Sequence, residues 1–506
     1  MQNRTVCRKV SRSSVASRTD LCHEELVVPV QRQHPGRPRT AATAAASAAA
    51  VALLLGACAT GTGGEGQAAD VDFSATPSPG SSLDVMGFGT GDEVGKVRHD
   101  RAVEALGVDV RLSEGALDPQ AFLSAAASGN PPDLIYADRT QIGTFASRGA
   151  ILPLSACIEA QGIDTDAYVD SALAQVTFDG EVYGIPEFNQ IQVTMANADL
   201  LADAGLDISA VDGSDPDAAL AAAEAMTRSD GGRLSVIGFD SKLPEFLPLW
   251  AKGRGADLLS ADGRTAQLDD PEVVTALEKA VAVYDAQGGF PAVKTYRDSA
   301  DFFGAGNQFA TGTLGAMPME QWYVNVLNES SPEAPMAFGP FRGTDGEVLS
   351  FATGSAWAVP ADADDPATAC AYAARMTETD AWMAAAQARA DARAADGLVF
   401  TGVLTGNEEA DARIREELVP AEAPQPWADA IDAVYAANDH AFTLPANPAD
   451  NEFKQAWQDA VNRVLNGQQE PAEALAQAQQ EAQSALDEAW QKWDERADGS
   501  AGQDAQ

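Results

Sequence analysis

The stretch 129–139, GNPPDLIYADR, ends one element and starts another. Gly129-Asn130 is a helix-stopping pair, and Pro131-Pro132 cannot continue a helix. Asp133-Leu134-Ile135-Tyr136 then reads as a short buried strand, and Ala137-Asp138-Arg139 emerges from its carboxyl end. Working backwards, 119–128 reads as a helix, 108–112 as a strand, 93–106 as a helix and 83–86 as a strand. The turn GFGTGD follows that first strand. This β-α-β-α-β order predicts an α/β fold with a mostly parallel sheet covered by helices. Ligands of such sheets collect at the carboxyl ends of the strands, which points to Phe88, Thr90, Asp138 and Arg139.

Further along, helices are expected at 217–227, 271–287 and 300–311. A last helical region covers 451–494, where Phe453, Trp457, Val461, Val464 and Leu465 fall on one stripe before a Gly467 stop and a second helix from Pro471. On that pattern Trp457 is a core residue. No repeat of fixed period is present.

The opposite end carries an export pattern. Arg37 and Arg39 precede an uncharged run, 41–57, whose hydrophobic peak is 51–55. The run is too short and alanine-rich for a comfortable membrane span, which takes ~20 apolar residues. Leu55-Gly56-Ala57-Cys58 has the form of a bacterial lipobox, in which Cys58 is acylated, and the Gly/Ser/Thr/Pro-rich 58–80 reads as a flexible tether. Residues 1–57 are therefore a signal region. Its first 36 residues lack apolar periodicity, and a start at Val27, Val28 or Val30 would give a more ordinary leader. The expected location is the outer face of the cytoplasmic membrane, with membrane contact through the lipid only.

The chain of 506 residues has 33 basic and 75 acidic side chains. Eight of the basic and three of the acidic ones lie within 1–57, leaving 25 against 72. That balance argues against nucleic acid, whose phosphates are met by Lys and Arg. About 450 residues remain after the leader, enough for two or three domain-sized units. Of five cysteines, Cys157 and Cys370 remain beyond the lipobox. In an oxidising compartment they either form a disulfide or stay as two buried thiols, and spacing alone does not decide.

Catalytic signatures are missing from the sequence. Beyond the leader only His99 and His440 remain, in no metal-ligand spacing, and there is no G-x-S-x-G elbow, P-loop or C-x-x-C. No metal or cofactor is expected. Acidic residues are so common that a glycosidase carboxylate pair would not stand out, so a secreted glycoside-active enzyme is the reading to be separated from a binding protein.

Longer phrases carry a resemblance. GNPPDLIYAD, GAILPLSACIEAQGID, DGEVYGIPEF, NADLLADAGLD, GTLGAMPMEQW, SFATGSAWAVP and FKQAWQDAVNRVLNGQQEPAEALAQAQQEA follow one another across 83–489. As an ordered set they resemble the family 1 bacterial extracellular solute-binding proteins, the maltose-binding-protein-like lipoproteins that serve sugar ABC importers. The resemblance implies two α/β lobes joined by hinge strands around a ligand cleft: lobe one at 80–192 and 357–410, lobe two at 193–356, and C-terminal helices 411–506 packed back on the lobes. It also implies a monomer that binds carbohydrate, engages importer permease subunits and catalyses nothing. A non-sugar solute is the alternative ligand.

The resemblance further implies site residues. Trp322, after GAMPMEQ, matches a ligand-stacking tryptophan, with Glu320 beside it; core packing is the alternative. Asp138 and Arg139 match an acid–base pair after the PD-L-I strand, against an exposed ion pair. Gln190 stands where maltose-binding relatives carry a carboxylate, with Phe188 and Asn189 as neighbours in that loop. Glu245 and Phe246, in KLPEFLPLW, fall where an aromatic subsite is expected. Apart from the resemblance, Trp357 belongs either to the cleft or to the core at the hinge, and the loop position of Trp427, in APQPW, makes it a candidate for the rim.

Overall fold

The computed structural model describes residues 71–78 and 80–501. The signal region, Cys58 and most of the tether lie outside the described residues. Two five-stranded sheets organise the rest. In the first, the spatial order is Asp109–Ser113, Ser82–Met86, Leu134–Asp138, Thr353–Ala358 and Ile185–Gln190; the first three are parallel, and Thr353–Ala358 runs antiparallel between its neighbours. In the second, Met336–Pro340, Gln192–Asn197, Leu314–Glu320, Arg233–Phe239 and Arg228–Asp230 follow in that order.

Local chemistry accounts for the alternation at the start. Helix Glu93–Leu106 begins where the Asp92 carboxylate accepts from Gly95 N and ends at Gly107 in the left-handed region, φ 67°. Helix Pro119–Ala127 is capped by Asp118 and has proline in its first turn, where no N–H is needed. Leu134 and Ile135 are fully buried, and the Asp133 carboxylate ties the strand to its neighbours by accepting from Asp84 N and Asp364 N. A Cβ on Gly87, φ 97°, would lie 2.3 Å from Tyr136 O, so the first turn of GFGTGD serves close backbone packing within the sheet.

The chain passes between the sheets at Gln190–Gln192 and again between Pro340 and Thr353. Strand Thr353–Ala358 pairs with the first sheet throughout, so that sheet's second segment starts four residues before the expected 357, and Gln192 already belongs to the second sheet. Gln321 clamps the crossing: its Oε1 accepts from Ile191 N and its Nε2 donates to Asn189 O.

Residues 301–312 form turns instead of the expected helix. Asn307 bonds locally to Gly304 O and Ala310 N there, an alternative to a helical ladder that the nearby glycines favour. Trp427 is buried against Phe338 under the second sheet and does not rim a cleft.

At the end of the chain, helix Asp450–Leu465 buries the expected stripe, and Gly467 stops it in the left-handed region. Helix Pro471–Ala501 then bridges distant segments. Gln479 and Gln483 bond the backbone of residues 264, 266 and 268, while Trp490 stacks on Phe178 at 5.3 Å. Cys157 and Cys370 are joined by a disulfide. Among the described residues no helix is long and apolar enough to cross a membrane.

Candidate functional site

Strand ends from both sheets converge on a cavity of about 260 Å³. Asp138 closes strand Leu134–Asp138, and its Oδ1 accepts from Thr140 N and Oγ1, which fixes the carboxylate at the strand's carboxyl end. Gln190 closes Ile185–Gln190 and is exposed; Glu320 closes Leu314–Glu320 and is half-buried. Glu245 and Phe246 come from the loop before helix Leu247–Lys252. Burial raises the Glu320 carboxyl above its ordinary range.

The C-terminal helix Asp450–Leu465 supplies a wall that the sequence reading did not assign. Asp450, Phe453, Lys454, Trp457 and Gln458 all line the cavity, joined by Gln175, Gln192, Phe351, Thr353 and Asn447. The signal was the spacing of four through Asp450, Lys454 and Gln458, a polar seam beside the apolar stripe. Trp457 is core, as its stripe predicts, and one edge of that core meets the cavity. Asp450 Oδ1 accepts from Asn447 N and Nδ2, and burial pushes this carboxyl well above the ordinary carboxylate range. Among the described residues, none of Asp138, Glu245, Glu320 and Asp450 is held in an ion pair; Glu245 and Glu320 carry no side-chain hydrogen bond, while Asp138 and Asp450 are held by Thr140 and Asn447.

A second cavity of about 230 Å³ shares Gln190 with the first. Trp322, at the start of helix Trp322–Ser330, lines it with Phe188, Asn189, Gln321, Asn325 and Arg389. The Trp322 ring lies nearly parallel to Phe303, centroids 6.1 Å apart, and Phe303 is 66% exposed.

The expected site residues therefore divide. Asp138, Arg139, Gln190, Glu245, Phe246 and Glu320 meet at the first cavity; Trp322, Phe188 and Asn189 border the second. Arg139 lines the first cavity from a buried position: its Nη2 is bonded to Asn189 Oδ1 and Thr353 O, so that part of the guanidinium joins the crossing segments. The Asn189 amide is likewise consumed internally, between Arg139 and Asn438. Trp357 is core: the central position of its strand in the first sheet puts its ring among Phe88, Tyr136 and Tyr372, with Nε1 donating to Glu187. Phe88 shares that cluster and is buried for the same reason. Thr90 borders neither cavity; its N and Oγ1 are both 3.2 Å from Glu114 Oε1.

Two α/β halves with crossing strands and a cavity at their shared edge are the arrangement of a two-lobe binding protein. Solved structures agree in fold. A mannobiose-bound protein designated CpMnBP1 is 20% identical, covers 79% of this chain and 99% of its own, and has a TM-score of 0.64. The ABC substrate-binding protein Lmo0181 of Listeria monocytogenes, in complex with cycloalternan, is 18% identical over 80% of this chain and 99% of its own, TM-score 0.63. Maltose-bound MalE3 of T. maritima is 17% identical over 80% and 100%, TM-score 0.61. No curated protein sequence is a significant match. Residues 100–397 match the family model of the bacterial extracellular solute-binding proteins, and the chain belongs to that family. It is thus an exported solute-binding protein.

Proposed function

We propose that this chain is a lipid-anchored receptor that captures an oligosaccharide outside the cell and delivers it, as a monomer and without catalysis, to the permease subunits of an ABC importer. One observation carries the reading: the cavity at the carboxyl ends of both sheets combines carboxylates and amides with the rings of Phe246, Phe351, Phe453 and Trp457. Sugar hydroxyls call for planar hydrogen-bonding groups, and the C–H faces of the ring call for aromatic surface. Both sheets and the C-terminal helix contribute to this wall, so a bound ligand would bridge them and favour closure by bending at the crossing segments.

The junction of two cavities at Gln190 favours a ligand of more than one ring, with a second unit against Trp322. Likeness to proteins solved with mannobiose, cycloalternan and maltose supports a sugar over other solutes. The anchor rests on the apolar run before Leu55-Gly56-Ala57-Cys58. A thermal-shift screen of mono- and oligosaccharides tests the reading. At a hundredfold excess over its dissociation constant a true ligand adds ~2.7 kcal/mol of stability. A screen in which no sugar raises the melting point, while an amino acid or polyamine does, would move the protein to another solute class.

A further inference from the structure

A third cavity, of about 570 Å³, lies between helices Asp170–Ala174, Glu408–Glu417 and Trp427–Asp439. Its walls belong to both halves of the molecule. Helix Asp170–Ala174 packs on strand Ile185–Gln190 of the first sheet, and helix Trp427–Asp439 packs on Gln192–Asn197 and Met336–Pro340 of the second.

Asp411 lines this cavity and is only 5% exposed. Its Oδ1 accepts from Thr405 N and Oγ1, each at 2.7 Å, and its Oδ2 has no hydrogen-bond partner. The arginines of its own helix are engaged elsewhere. Arg413 faces Asp380 and Glu417, while Arg415 lies 3.4 Å from Asp432 and 4.5 Å from the Tyr435 ring centre. The Tyr435 hydroxyl, on a residue of the same wall, is also buried and unpartnered. A buried carboxylate without a counter-ion is unfavourable, and burial pushes this one up to about 7.

The rest of the lining indicates which cation would fit. Asp170, Glu408 and Asp439 are exposed at the rim, so with Asp411 the cavity carries four carboxylates against the single Arg415. Val169, Ala412 and Ala441 add apolar surface. Among the described residues no three acidic side chains are grouped closely enough to hold a metal ion, and the volume is that of a site for a small organic molecule. One deep carboxylate, a carboxylate rim and apolar patches match a short carbon chain with cationic ends.

We propose that this cavity is a second binding site, separate from the ligand cleft, for a small organic diamine: one ammonium group meets Asp411 Oδ2 and the other lies among the rim carboxylates. The site does not depend on which solute fills the first cavity.

Calorimetric titration of the protein with 1,4-diaminobutane in amine-free buffer tests this. At about pH 8 Asp411 is ionised and the diamine is still cationic, and about 0.15 M salt screens scattered surface charge. The expected result is saturable binding of one equivalent, weakened roughly tenfold or more by Asp411→Asn. That variant removes one charge from a chain of net charge −42, so attraction by bulk charge alone would be indifferent to it. Asp439→Lys, at an exposed rim position, should also weaken binding and decides the matter if Asp411→Asn fails to fold. The proposal is overturned if no saturable binding occurs, or if the deciding variant binds as the wild type does. Binding that survives Asp411→Asn but is lost in Gln190→Ala would place the diamine in the first cavity and overturn it equally.

Discussion

Arg98 and Glu187 form an ion pair at 2.8 Å with both side chains completely buried. The guanidinium also donates to Val94 O and Met376 O and lies 3.8 Å from the Trp382 ring centre. The other Glu187 oxygen accepts from Trp357 Nε1. One residue on, Phe188 has φ 48°, a conformation uncommon outside glycine, and Gln190 follows at the cavity. The pair therefore supports the segment that delivers Gln190. Removing one partner of such a pair leaves an uncompensated buried charge and typically costs about 3–5 kcal/mol. Glu187→Gln and Arg98→Met should each lower the unfolding free energy by an amount of that order, read from urea titration, and the double variant should lose less than the sum. Additive losses in that cycle would contradict the coupling.

The disulfide closes a loop of 213 residues. Free-thiol labelling of the denatured, unreduced protein should therefore detect neither Cys157 nor Cys370. In the chain-entropy model a loop this long gains roughly 5 kcal/mol, and measured gains run smaller. Cys157→Ser with Cys370→Ser should lower the melting point; an unchanged melt would remove the bridge from the account of stability.

Two buried carboxyls give a pH dependence with a definite sign. Asp411 is raised from 3.8 to about 7 by burial, and Asp450 is raised for the same reason. Each binds a proton more readily in the folded state, so its stabilising contribution is complete below the ordinary carboxylate range and is lost as pH rises through the folded value. His99, held below 6.5 by burial, acts in the opposite sense at lower pH, so the clean window lies above it. Between about pH 6.5 and about pH 8.5 the wild-type melting point should fall, and Asp411→Asn should flatten the fall. A wild-type melting point that rises across this window, with Asp411→Asn parallel to it, contradicts the raised value.

The proposed anchor predicts a change of location. Cys58→Ser, expressed in the native bacterium, should appear in the medium or remain unprocessed in place of fractionating with membranes. A processed, membrane-associated Cys58→Ser protein would remove the lipobox reading.

Where pattern and cap chemistry are local, the fold was legible. Asp92, Asp118 and the 129–139 stretch mark the helix and strand ends of the first α/β units without reference to anything distant. Trp357 was ambiguous because its burial follows from strand order, and Thr353–Ala358 reaches the first sheet only after the chain has built the second. Arg139 was legible as a residue at the cavity from its place after the strand, but its burial was not. Its burial comes from Asn189 and Thr353, and Asn189 is fixed by Asn438, 249 residues farther on. Phe453 and Trp457 were legible as core. Their second role, as cavity wall, depends on where the helix docks.

The central claim is that a saccharide occupies the two cavities that meet at Gln190, and calorimetric titration of the best sugar from the thermal screen tests it most directly. Gln190→Ala removes a hydrogen-bonding side chain that is exposed in the free protein, so its unfolding free energy should stay within about 0.5 kcal/mol of wild type. Its affinity should fall by roughly five- to tenfold, a loss of about 1–1.5 kcal/mol. Trp322→Ala, judged only if its fold and melt are normal, should lose about 2 kcal/mol or more, roughly thirtyfold. Binding at wild-type strength in both variants would mean that the cleft has been misplaced, and heat-silent titrations with every sugar would contradict the carbohydrate assignment itself.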